Sequence, residues 1–85
     1  MQINNMATAG SLQSNDCFIT IKPAKQIEIE LESPVKFEFG DQIIELVKKT
    51  LRDKNIVGAN VKIEDRGALD CTIEARLITA IRRSK

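Results

Sequence analysis

The sequence predicts an α+β fold in the order βββαβα, with both helices packed on one face of a single sheet. Three observations predict it: a two-residue alternation through the first third, an apolar stripe at spacings of three and four from Phe39 to Leu51, and a second such stripe after a short alternating run. A length of 85 residues suits one domain with one modest core, expected to span residues 1–85.

The first strand is the weakest, running from Met6 to Leu12 through small residues, and Gln13 to Asp16 follow as a hairpin loop. In the second, Cys17, Ile19 and Ile21 share one face, with Phe18 and Thr20 on the other. Lys22-Pro23-Ala24-Lys25 supplies a turn. In the third, Ile27, Ile29 and Leu31 alternate with Glu28, Glu30 and Glu32, as in a half-buried strand with an acidic outer face. Ser33-Pro34 ends it. A helix begins by Asp41 at the latest, carrying Phe39, Ile43, Leu46, Val47 and Leu51 on one stripe. Its start is open, because Phe37 and Phe39 alternate with Lys36 and Glu38 as a strand would. Glu45 with Lys49 and Lys49 with Asp53 support its exposed face, and Asn55 and Gly58 are stop signals. Val61 and Ile63 form a fourth strand ending at Asp65-Arg66-Gly67.

The last segment carries two patterns. Cys71, Ile73, Ala75 and Leu77 alternate, whereas Leu69, Ile73, Leu77, Ala80 and Ile81 make a helical stripe. Length favours the helix, as do Asp70 in its first turn and Arg82, Arg83 and Lys85 at its end, where they complement the helix dipole. On this assignment Ile73, Leu77 and Ile81 pack with Ile43, Val47 and Leu51, and Ile78 faces away from the core. This is not the all-helical bundle of fatty-acid-type carriers, whose Asp-Ser-Leu signature does not occur here.

Composition excludes several functions. With no histidine, tryptophan or tyrosine, the commonest general base and the commonest transition-metal ligand are missing, so neither catalytic residues nor a metal site are expected. A net charge of +1 removes the field of a nucleic-acid or membrane-surface binder. Gly58-Ala59-Asn60-Val61 resembles part of a KH-type RNA loop, but it lacks the second glycine and a basic surround. No run approaches the roughly 20 apolar residues of a membrane span. Cys17 and Cys71, with no secretory leader before them, are expected as free thiols in a cytoplasmic chain.

Few residues remain as candidates for chemistry. Ser14, in Ala9-Gly10-Ser11-Leu12-Gln13-Ser14-Asn15-Asp16, offers a hydroxyl at a loop tip, suited to being modified rather than to reacting. The competing reading is a turn serine that bonds local backbone. Glu28, Glu30 and Glu32 are expected as a solvated face rather than a cation site. Arg76 lies at the edge of the apolar stripe, where its stem can pack while its guanidinium snorkels or reaches a phosphate or carboxylate. Cys71 is expected to be packed and inert.

The stretches Ala7-Thr8-Ala9-Gly10-Ser11-Leu12-Gln13-Ser14-Asn15-Asp16, Phe39-Gly40-Asp41-Gln42-Ile43, Asp65-Arg66-Gly67-Ala68-Leu69-Asp70-Cys71 and Ala75-Arg76-Leu77 resemble the acyl carrier proteins of citrate lyase, the gamma subunit of that bacterial complex. Gly67-Ala68-Leu69-Asp70-Cys71 is the most specific block. Gln13 stands where an acidic residue is common in that family, and Asn15 where glycine is common.

The resemblance implies that a transferase attaches a phosphoribosyl-dephospho-coenzyme A group, 2'-(5''-phosphoribosyl)-3'-dephospho-CoA, to Ser14 through a phosphodiester, and that its terminal thiol carries acetyl. It further implies an alpha subunit that exchanges acetyl for citryl on that thiol, and a beta subunit that cleaves the citryl thioester in citrate fermentation. The carrier catalyses neither step. Two other readings stand beside it. One is the carrier subunit of malonate decarboxylase, a family that tends to have Gly-Ala-Thr-Pro where this chain has Gly67-Ala68-Leu69-Asp70; the other is an unmodified scaffolding domain.

Overall fold

The alternating segments become one four-stranded sheet, seen in a computed structural model that describes residues 2–85. In chain order the elements are β1 (Ala7–Gly10), β2 (Cys17–Lys22), β3 (Ile27–Glu32), α1 (Lys36–Asp53), β4 (Ala59–Asp65) and α2 (Asp70–Arg83). The strands lie in the order β1-β2-β4-β3. β2 pairs antiparallel with both β1 and β4, whereas β3 runs parallel to β4 and reaches it through α1. That crossover is what a parallel pair requires, because a short hairpin cannot reverse the chain twice. The expected α+β order βββαβα is the observed one.

Register places every inward side chain of the two central strands in one layer. Ile19 faces Ile63 and Ile21 faces Val61 across β2 and β4, while Ala9 and Ala7 continue those rows onto β1, and Leu31 and Ile29 onto β3. Small residues on β1 leave room for α2, which packs on β1 and β2, while α1 packs on β3 and against α2. Ile73, Leu77, Ala80 and Ile81 of α2 and Ile43, Val47 and Leu51 of α1 are buried over this layer, as the two stripes predict. Apart from Phe18, the far sheet face is polar. There Glu28 accepts a hydrogen bond from the Asn60 amide at 3.1 Å and Glu32 pairs with Arg66 at 3.2 Å.

Helix α1 starts five residues earlier than Asp41, at Lys36, and takes in the Phe37-Glu38-Phe39 run. The turn after β3 launches it: Ser33 Oγ accepts from Val35 N–H, and the Ser33 and Val35 carbonyls take the Lys36 and Phe39 N–H groups. A strand at 36–39 would have needed a neighbour to pair with and a face to bury. Phe37 has neither and is fully exposed, and Phe39, expected on the buried stripe, is 49% exposed. On the outer face Lys49 pairs with Asp53 at 2.9 Å, but Glu45 lies against Lys48, at 3.9 Å, rather than Lys49.

The helix ends where Asn55 suggested. Asn55 takes a left-handed φ of 59°, its N–H bonds to the Arg52 carbonyl and the Ile56 N–H to the Leu51 carbonyl, the paired closure that satisfies last-turn carbonyls.

Three positions in or just before α2 depart from expectation. Leu69, placed on the buried stripe by its spacing, is the residue before the helix and is 71% exposed. Cys71, expected to be packed, is exposed, while Cys17 is the buried thiol; both are free. Ile78 is half-buried rather than facing solvent. We expect Leu77→Ala, which empties a fully buried site, to cost about 2 to 5 kcal/mol. Ile78→Ser should cost clearly less. Chemical denaturation of the two variants side by side checks the orientation of α2.

Candidate functional site

The β1–β2 hairpin places Ser14 at one end of the sheet. Gly10 closes β1 with φ +97°, and a Cβ there would run into the Cys17 carbonyl; only glycine lets the strands approach this closely where the Ser11 N–H bonds that same carbonyl at 3.1 Å. Beyond it the chain makes a six-residue excursion, residues 11–16, before β2.

One carboxylate organises that excursion. Asp16 accepts four hydrogen bonds: Arg76 Nε and the Cys17 N–H on Oδ1 at 3.0 and 2.7 Å, Arg76 Nη2 and the Ser11 hydroxyl on Oδ2 at 3.2 and 2.7 Å. Ser11 Oγ accepts in turn from Gln13 N–H, and the Gln13 carbonyl from Asp16 N–H. On the other side the loop extends the β2–β4 ladder: Asn15 N–H donates to the Arg66 carbonyl at 2.8 Å and Arg66 N–H to the Asp16 carbonyl at 2.9 Å. Asn15 adopts φ 66°, a left-handed conformation that glycine and asparagine tolerate best.

Ser14 sits between these anchors. It is exposed, and among the described residues its hydroxyl makes no hydrogen bond. The turn-serine alternative therefore describes Ser11, whose hydroxyl is spent on Asp16, and not Ser14. Arg76, singled out from its place on the helix, reaches a carboxylate of the chain itself. What sequence reasoning missed was the partner: Asp16 lies 60 residues away, and the two meet only because α2 covers β1 and β2.

Electrostatics follows the geometry. The Arg76 guanidinium, then the Ser11 hydroxyl and the Cys17 N–H, hold the Asp16 carboxyl down at about 2 from an ordinary 3.8. Burial, with Asp16 and Asp65 nearby, pushes the Cys17 thiol up to about 11, so it stays neutral. The neighbouring β4–α2 connection is tied down by the buried Asp65, which accepts from the Ser33 hydroxyl and from the Gly67 and Ala68 N–H groups. Among the described residues no three His, Cys, Asp or Glu side chains converge as metal ligands, and no helix is long and apolar enough to cross a membrane.

The structure is thus a small α+β domain with a loop tethered at both flanks and an exposed Ser14 between the tethers. A family model described as an acyl carrier protein, malonate decarboxylase delta subunit, matches residues 4–84. The citrate lyase acyl carrier protein of Treponema denticola is 49% identical over 84 residues, covering 99% of this chain and 97% of that one. Those of Streptococcus mutans and Clostridium perfringens are 44% and 42% identical over 86 residues, covering 99% of this chain and 84% and 85% of theirs. The chain belongs to the family of citrate lyase acyl carrier proteins. Among solved structures it is similar to a chain of a Pseudomonas malonate decarboxylase hetero-tetramer in complex with malonate, with a TM-score of 0.86 over all of this chain and 89% of that one. At 16% identity this likeness shows the fold alone.

The Asp16–Arg76 pair has a pH signature. Because the folded-state pKa of Asp16 is depressed, its contribution is complete above the unfolded value of 3.8 and is lost as pH falls towards about 2. The stability difference between the wild type and Asp16→Asn should therefore be constant above about pH 5 and shrink steadily between about pH 4 and 2. Denaturation series at stepped pH measure it.

Proposed function

We propose that the chain is the acyl carrier subunit of a citrate lyase, with Ser14 carrying a phosphoribosyl-dephospho-coenzyme A group through a phosphodiester. The observation that carries this reading is the exposed Ser14 hydroxyl on a loop tied at both flanks. Ser11, the one other hydroxyl of residues 11–16, is held by Asp16. The site fits such a group: the hydroxyl is exposed, nothing packs over it, and an attached arm displaces no core side chain.

The group supplies a terminal thiol, on which acetyl and citryl are held as thioesters that activate the acyl carbonyl for exchange and cleavage. The chain does the rest without catalysing either reaction. Its loop flanks, pinned to α2 through Arg76 and to the end of β4 through Arg66, fix where the attachment point stands. Delivery then draws on tethering, since an arm held on one carrier visits two sites at an effective concentration that free substrate would not reach. The partners are an alpha subunit for acyl exchange, a beta subunit for citryl cleavage and a transferase that installs the group, all in the cytoplasm. A single carrier domain over residues 1–85 is sufficient for this role.

In Ser14→Ala the reconstituted complex should lose its activity while the domain keeps its stability within about 0.5 kcal/mol, as for a surface substitution away from caps and core. Activity measurement with thermal unfolding of the same preparation tests it. Retained activity would remove the attachment role from Ser14, and a sharp loss of stability would make it a structural residue.

A further inference from the structure

The β4–α2 connection separates two features. On one side it borders the Ser14 loop: the Arg66 carbonyl takes the Asn15 N–H, and the Asn15 side chain lies against Gly67. On its other side, Asp65, Ala68 and Leu69 form one wall of a groove of about 420 Å³, opposite Val35, Phe39 and Ile43. The groove opens on the end of the sheet that bears Ser14, because residues 11–16, 33–35 and 66–69 all leave strands there.

The groove explains side chains that the fold leaves without a purpose. Phe39 on α1 and Leu69 just before α2 are large apolar side chains, yet they are 49% and 71% exposed where they line the groove. Leaving large apolar groups in water forgoes about 25 cal/mol per Å² of burial. What they would accept is restricted. No lysine or arginine lines the groove, its charged groups are Asp65 and Asp70, and the Gln42 amide adds a neutral donor and acceptor. No side-chain cation there pairs with an anion. A neutral chain of methylene and amide groups is suited to it.

We infer that this groove is the resting site of the neutral, thiol-bearing amide segment of the arm on Ser14, with the phosphates of that arm left in solvent. This rests on the Ser14 reading. The occupant is the arm rather than a partner surface because the attachment point and the groove share one wall. Docked, the thiol is shielded between visits to the partner subunits; undocked, it is free to enter them.

The test uses the full chain with Cys71→Ser, which removes the exposed thiol, loaded by its transferase and checked by intact and fragment mass. Loading should move the methyl resonances of Val35, Ile43 and Leu69. The terminal thiol should react with iodoacetamide about fivefold more slowly than free coenzyme A, the slowing given by an arm docked about four-fifths of the time. Leu69→Ser, at an exposed position, should restore the rate of free coenzyme A. A group mapped to Ser14 with unmoved groove methyls and a thiol as reactive as free coenzyme A would overturn the resting site while leaving the attachment intact. A group mapped to any other residue would overturn the Ser14 reading, and this one with it.

Discussion

The contact between the Asp16 carboxylate and the Arg76 guanidinium joins the N-terminal hairpin to the C-terminal helix across 60 residues of sequence. Because the same carboxylate takes the Ser11 hydroxyl and the Cys17 N–H, it ties the entry and the exit of residues 11–16 to the already packed α2. Bidentate arginine pairing suits this task, since the planar fork fixes direction as well as distance. At the loop's edge Arg76 is 42% exposed and Asp16 16%. A pair so placed is screened by solvent and acts on geometry more than on overall stability.

Stability comes from elsewhere, and the division is functional. The inward rows of β2 and β4 and the stripes of α1 and α2 bury Ile, Leu and Val almost completely, so the scaffold does not depend on the conformation of residues 11–16. On the proposed reading, the loop is then free to be shaped for presenting Ser14. Gly10 permits the close start, Asn15 takes the left-handed φ, and Ser14 is left exposed. The φ of 66° at Asn15 excludes most side chains, and asparagine, like glycine, is the usual exception.

Much of this architecture was legible because periodicity is a local signal. Ile27-Glu28-Ile29-Glu30-Leu31-Glu32 admits only a strand with one wet face, and Ile43, Val47 and Leu51 admit only a helix. Errors fell where two patterns overlapped or where no neighbour was visible. Phe37 and Phe39 alternated with charged residues, but alternation predicts a strand only when a partner exists, and the Ser33-Pro34 turn, legible as a strand stop, was in fact also a helix start. Leu69 and Cys71 were misplaced because the spacing of α2 does not say at which residue the helix begins. In the candidate site, the exposed loop position of Ser14 was legible from turn chemistry, and the outward reach of Arg76 from its awkward place on the stripe. Their connection through Asp16 was not, because it is a tertiary contact that depends on α2 crossing β1 and β2.

The central claim is that the molecule spends its loop geometry on presenting one hydroxyl. Fragment mass spectrometry of the carrier isolated from its native host tests this most directly, since it reads which residue bears the group without any substitution. One phosphoribosyl-dephospho-coenzyme A per chain, located on Ser14, is the result the account predicts. A carrier found wholly unmodified in an active complex, or bearing the group on Ser11, would contradict it.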